Sequence, residues 1–217
     1  MNIEQARFNM VEQQIRPWDV LNTQILDVLY QVRREDFVPP AYRTLAFVDM
    51  EIPLENGERM LSPKLEARLL QELRLKKSDR VLHVGTGSGY VAALLGHLAA
   101  QVTTVELHPG LASTARQRLY DHGFQNVTVA VGDAAQGWNP KKHWDVILLT
   151  GSVPEMPSSF LEALAPGGCA VAVVGQSPVM SVQRWVRLGN APVEQETLFE
   201  TEIPPLHHVA HRDRFQF

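Results

Sequence analysis

The stretch Val81-Leu82-His83-Val84-Gly85-Thr86-Gly87-Ser88-Gly89-Tyr90 constrains this chain more than any other. Four apolar or β-favouring positions run into three alternate glycines and then into a helix-compatible segment. Glycine lets the backbone turn sharply and lets a ligand approach main-chain N–H groups that a Cβ would shield. A second strand-like run, Gln101-Val102-Thr103-Thr104-Val105-Glu106, ends in a carboxylate 21 residues after Gly85. In Rossmann-like folds an acid about 20 residues beyond the first glycine holds a ribose hydroxyl. The spacing is G-x-G-x-G, whereas dinucleotide-binding turns usually read G-x-G-x-x-G and leave room for a pyrophosphate. The pattern therefore suits an adenosine ligand without phosphates, of which S-adenosylmethionine is an example.

The remaining chain reads as alternating elements. Two helices lie between about Ile3 and Val32, broken at Arg16-Pro17-Trp18-Asp19. Residues 36–63, with Val38-Pro39-Pro40, Ile52-Pro53-Leu54 and Asn56-Gly57, read as irregular structure with a short strand or hairpin, and such a stretch is usually functional. We read it as a substrate-facing lid. Pro63 opens a helix running to Leu73. Strands at 81–84, 102–106, 127–131, 144–150 and 169–174 then alternate with helices from Ser88, over 109–122 and over 158–164. This predicts an α/β fold with a mostly parallel sheet and helices on both faces. Runs at 182–188 and 194–203 read as a closing hairpin or meander. One domain is expected: residues 1–62 as helices and lid, 63–175 as the cofactor-binding core, 176–217 as C-terminal strands.

Composition narrows the partners. The chain of 217 residues carries a net charge of −4 with dispersed Lys and Arg, so no basic face for nucleic acid is expected. The single cysteine, Cys169, cannot form an internal disulfide and reads as a small core residue. The polar N-terminus shows no secretory signal and no apolar run approaches membrane-spanning length, so a cytoplasmic, non-membrane protein is expected. His207, His208 and His211 lack a neighbouring acid or cysteine cluster, and no metal is assigned to them.

Residues 81–175 resemble the class I S-adenosylmethionine-dependent methyltransferases, a Rossmann-like fold. Most of the chain resembles, more narrowly, the protein-L-isoaspartate O-methyltransferase family. Arg33-Arg34-Glu35-Asp36-Phe37-Val38-Pro39-Pro40-Ala41-Tyr42-Arg43 is similar to that family's V-R-E-x-F-V-P run. Leu45-Ala46-Phe47-Val48-Asp49 is similar to L-A-Y-x-D, Gly85–Tyr90 to its cofactor motif, and Thr150-Gly151-Ser152-Val153-Pro154-Glu155-Met156-Pro157 to T-A-A-A-P-E-x-P. The resemblance implies S-adenosyl-L-methionine as cofactor. It places His83, Gly85, Thr86, Gly87, Ser88 and Gly89 around the methionyl part, Glu106 and Leu107 at the ribose, and Gly132, Asp133 and Ala134 near adenine. It also implies a peptide or protein acceptor carrying isoaspartyl residues.

Two positions depart from the pattern. The family lid reads G-Q-T-I-S-x-P; here it is Gly57-Glu58-Arg59-Met60-Leu61-Ser62-Pro63, and an ungapped register puts Leu61 where the serine belongs. Ser62 serves in its place only if the loop shifts by one residue, with Arg59 or Lys64 as a charged substitute. Ser62, Arg59 and Leu61 are thus the candidate catalytic positions. The acid of E-x-G-x-G is His83, which lacks a fixed negative charge. Because of the lid, two further readings stay open: a methyltransferase for another acceptor, such as a small molecule, and a non-catalytic S-adenosylmethionine-binding protein. The oligomeric state is not legible.

Overall fold

The structure, a computed structural model, describes residues 2–139, 141–189 and 192–209. Its centre is a seven-stranded sheet of β3 (Arg80–Val84), β4 (Gln101–Glu106), β5 (Val127–Val131), β6 (Trp144–Leu149), β7 (Leu164–Gln176), β8 (Val179–Arg187) and β9 (Val193–Glu200) in the order β5-β4-β3-β6-β7-β8-β9. The first five in that order are parallel and the last two pairings antiparallel. This is the mostly parallel Rossmann-like arrangement of class I methyltransferases. Side chains along a strand alternate between faces: Val81, Val146 and Val171 enter one core, and Leu82, Ile147 and Ala170 the other. Both faces being covered explains why β3 and β6 read as nearly continuous apolar runs.

Helices α4 (Tyr90–Leu98), α5 (Pro109–Asp121) and α6 (Ser158–Glu162) follow β3, β4 and β6. α1 (Ile3–Asn9) continues through a wider helical turn to Ile15 and a tight turn over Arg16–Trp18, and α2 (Thr23–Gln31) follows. The break falls at Pro17, where Asp19 takes a left-handed conformation. α3 (Pro63–Glu72) starts at its proline. The lid contains a hairpin of β1 (Ile52–Pro53) and β2 (Arg59–Met60), whose turn needs positive φ at Asn56 and Gly57.

Several expected boundaries move. α4 begins at Tyr90 because Gly89, at φ 90°, caps it; β7 starts at Leu164, so Pro166-Gly167-Gly168 lies inside an irregular strand. Cys169 is half-buried rather than fully enclosed, and burial pushes its thiol up to about 11. β9 ends at Glu200, and residues 201–209 turn back instead of continuing to Ile203 as a strand. Ser152 N–H donates to Pro204 O (2.9 Å) and Leu206 N–H to Ser152 O (2.9 Å), pinning this segment beside the end of β6.

The lid is anchored by a buried guanidinium. Arg34 is 1 % exposed, pairs with the Glu66 carboxylate of α3, and donates through Nη2 to Leu61 O at 2.8 Å. Its guanidinium carbon lies 5.0 Å from the centre of the Tyr90 ring, at the start of α4. Neighbouring Glu35 accepts from Arg7 of α1, and Phe37 packs on Tyr90 with ring centroids 5.7 Å apart. The R-E-x-F-V-P segment is therefore the joint between N-terminal helices, lid and glycine turn. Burial pushes the Glu66 carboxyl up to about 7, with Arg34 pulling it back toward the ionised form.

A second buried polar group lies in β3. His83 is fully enclosed, with Nδ1 2.9 Å from Thr104 Oγ1 and Nε2 3.0 Å from Thr150 Oγ1. Thr150 has one hydroxyl proton and two carbonyls, Val84 O and Gly85 O, each at 3.0 Å, that can only accept. It therefore donates to the backbone and accepts from His83 Nε2–H. His83 Nδ1 then accepts from Thr104, whose own oxygen accepts from Thr86 Oγ1 at 2.6 Å. Burial depresses the imidazole to about 3, so it is neutral.

Two outcomes are expected. Arg34→Leu leaves Glu66 buried without its partner and should cost about 3–5 kcal/mol in urea denaturation, while Arg34→Leu combined with Glu66→Leu should recover most of that loss. For His83 the folded pKa lies below the ordinary 6.5, so its contribution is full above pH 6.5 and lost as pH falls toward 3. Between pH 6.5 and 5 the wild type should lose about 2 kcal/mol more than His83→Gln, read as the difference between their denaturation curves.

Candidate active site

The carboxyl ends of β3, β4, β5 and β6 open onto one cleft of about 920 Å³ including its mouth, where strand order runs outward from β3 in both directions. That is the position at which open α/β sheets take their ligands. The turn after β3 supplies Gly85, Thr86, Gly87 and Ser88 to its wall, β4 and its following loop supply Glu106 and Leu107, and the loop after β5 supplies Gly132, Asp133 and Ala134. Eleven of the positions singled out in the sequence meet here once Arg59 and Leu61 of the lid are added.

The glycines have separate reasons. A Cβ on Gly85 (φ 97°) would lie 2.7 Å from Thr150 Oγ1, and one on Gly89 3.2 Å from Ala115 Cβ of α5. Gly85 thus lets the turn pack against Thr150, whereas Gly89 lets α4 approach α5 and does not line the cleft. Glu106 is 5 % exposed; its Oε2 accepts from Gly87 N–H (2.8 Å) and its Oε1 from His108 N–H (3.0 Å). Two amide donors fix this carboxylate beside the glycine turn, with lone pairs left for hydroxyl donors. Asp133 accepts from Ala135 N–H (2.9 Å) and from His208 (2.7 Å), and these contacts, the amide first, hold it below the usual carboxylate range.

His83 does not reach the cleft. Its ring is spent on Thr104 and Thr150, so it acts one layer below, through Thr86. With its proton committed to Thr104, Thr86 has only lone pairs to offer a ligand.

The lid resolves the register. Ser62 is the residue before α3, its carbonyl accepting from Leu65 and Glu66 N–H (3.1 Å each), and it does not line the cleft; Leu61 does. Lys64 is also placed elsewhere: its ammonium lies 2.6 Å from Asp49 and 4.0 Å from the Trp18 ring centre, and it does not line the cleft. Arg59 lines the cleft, half exposed, with Nη1 3.0 Å from Glu51.

Sequence reasoning missed the far wall. Thr150, Gly151 and Glu58 stood in recognised segments without an assigned role, His207 was weighed only as a metal ligand, and Glu66 and 204–206 carried no local signal. Glu58 brings an acid to the C-terminal histidines after all: its Oε1 lies 2.7 Å from His207 Nε2 and 3.2 Å from His108 Nε2. His211 lies outside the described residues. No helix among the described residues is long and apolar enough to cross a membrane.

The profile described as Protein-L-isoaspartate(D-aspartate) O-methyltransferase (PCMT) matches residues 5–209. The protein-L-isoaspartate O-methyltransferase of Koribacter versatilis is 36 % identical over 92 % of this chain and 90 % of its own length. That of Protochlamydia amoebophila is 38 % identical over 91 % of this chain and 94 % of its own. Among solved structures, a Plasmodium falciparum chain described as a protein-L-isoaspartate O-methyltransferase, in complex with S-adenosyl-L-homocysteine, superposes with a TM-score of 0.81. That match covers 95 % of this chain and 98 % of the other at 16 % identity, a likeness of fold. The cleft at the strand ends, the lid joint built from R-E-x-F-V-P and the match over nearly the whole length agree: the chain belongs to the protein-L-isoaspartate(D-aspartate) O-methyltransferase family.

Proposed function

We propose that this chain transfers the methyl group of S-adenosylmethionine to the carboxylate of an isoaspartyl or D-aspartyl residue in a damaged protein, as part of protein repair. The observation that carries this reading is the cleft itself, in which the glycine turn, Glu106 and Asp133 meet under a lid from the same chain. The residues fit the cofactor: the glycine turn lines the cleft, and the Glu106 carboxylate, held by two amides, keeps lone pairs free to accept from ribose hydroxyls. In this reading Asp133 would face adenine, and the lone pairs of Thr86 would accept from the methionyl ammonium. Bound there, S-adenosylmethionine supplies an electrophilic methyl group.

The acceptor carboxylate is ionised at neutral pH, since its ordinary pKa lies near 4. No general base is required, which agrees with the neutral, fully engaged state of His83. The work left to the protein is alignment and exclusion of water. Leu61 supplies an apolar wall, and Arg59 is the cation of the lid placed to hold the acceptor carboxylate in exchange for Glu51. We read segments 1–62, 63–175 and 176–217 as one working unit, supported by the Arg34 joint and by the ion pair of Arg184 in β8 with Glu72 in α3 (3.2 Å). The partner is a peptide or protein substrate, and the setting cytoplasmic.

Methyl transfer to an isoaspartyl peptide and to its normal aspartyl counterpart tests the reading: turnover on the first alone is expected, and absence of turnover on it would move the acceptor elsewhere. Glu106→Ala should weaken S-adenosylmethionine binding in calorimetry by about 3 kcal/mol, as charge-assisted hydrogen bonds to the ribose are lost. Leu61→Ser should raise isoaspartyl turnover about tenfold with cofactor affinity nearly constant, and Arg59→Gln should raise KM for the peptide by about tenfold or more.

A further inference from the structure

We propose that Glu58, His108 and His207 form a site for one transition-metal dication of the zinc type, and that the ion clasps the lid hairpin and the C-terminal segment over the mouth of the cleft. One carboxylate oxygen, Glu58 Oε1, faces Nε2 of both histidines, and the three ligand atoms lie within 4.8 Å of one another. Tetrahedral zinc bonded at about 2.0–2.1 Å needs its ligand atoms about 3.3 Å apart. The His108 contact, at 3.2 Å, already has that span. The His207 contact, at 2.7 Å, reaches it by a small rotation of a side chain that is half exposed.

The donor set indicates the ion. Two imidazole nitrogens with one carboxylate suit zinc and its neighbours, whereas magnesium and calcium prefer oxygen throughout. Three protein ligands leave a fourth position for water, the open form of such sites. The separations in sequence indicate the role: Glu58 stands between the lid turn and β2, His108 two residues beyond Glu106, and His207 on the segment pinned to Ser152. Glu58 and His207 both line the cleft, so an ion joining them closes its mouth from two sides. Alongside, His208 donates directly to Asp133 (2.7 Å) and ties the same segment to the loop after β5.

The test uses the full chain without a histidine tag, stripped by chelator and with no methyl donor present, so that its outcome is separate from that of the methyl-transfer assay. Titration with Zn2+ alone by calorimetry should show one equivalent bound, and Co2+ alone should give the visible absorption of a four-coordinate ion. Glu58→Gln, His108→Ala and His207→Ala should each weaken Zn2+ binding about tenfold or more. The three side chains are between 24 % and 52 % exposed, so their truncation spares the core. Zn2+ should also slow amide exchange over residues 56–61 and 201–209 in the wild type and not in His207→Ala. No uptake of Zn2+, equal uptake by the three variants, or exchange unchanged in either segment overturns the proposal.

Discussion

One buried guanidinium holds the parts of this molecule in register. Arg34 touches the lid through Leu61 O, α3 through Glu66 and the first residue of α4 through Tyr90. Burying a charge is costly, and here the Glu66 carboxylate and the Leu61 carbonyl offset that cost at Nη1 and Nη2, while the buried Nε has no hydrogen-bond partner among the described residues. That burial gives the joint its specificity: a lid displaced by one residue would withdraw the Leu61 carbonyl from a cation that is 1 % exposed. The position of Leu61 at the cleft follows from this as much as from the hairpin before it.

The β3 turn shows how a change of charge can be accommodated without a change of fold. Where the family pattern has an acid, His83 stands as a neutral ring between two threonines, and a third, Thr86, is drawn into the same directed chain. What lies beneath the cleft is a chain of aligned dipoles with no fixed charge, and the low-dielectric interior strengthens each bond in it. Every proton in that chain has one place to go, because Thr150 faces carbonyls that can only accept.

The sheet was legible because its signals are local. Alternation of apolar strands and helices, Pro63 at a helix start and the glycine turn all act over a few residues, and the structure follows them to within a few positions. Glu106 was legible because its distance from Gly85 is set by one strand-helix-strand unit. That Ser62 precedes α3 was legible from Pro63, but that Leu61 and not Ser62 lines the cleft was not, and the side of α3 that Lys64 occupies, against Asp49 and Trp18, depends on a loop in another part of the chain. Glu58 was read only as part of the lid and His207 only as one of the C-terminal histidines, since nothing local shows that they meet across 149 positions of sequence.

The cleft is walled by segments drawn from residue 58 to residue 207, and none of them forms a site with its neighbours in sequence alone. Contacts of such long range are made late and lost together. An unfolded chain therefore offers a cleft ligand nothing to hold, and occupancy acts on the whole folding equilibrium. A ligand at a hundred times its Kd adds about 2.7 kcal/mol to stability, whatever the chemistry it goes on to do. The same geometry that assembles a catalyst makes the thermal midpoint of this protein a gauge of what its cleft contains.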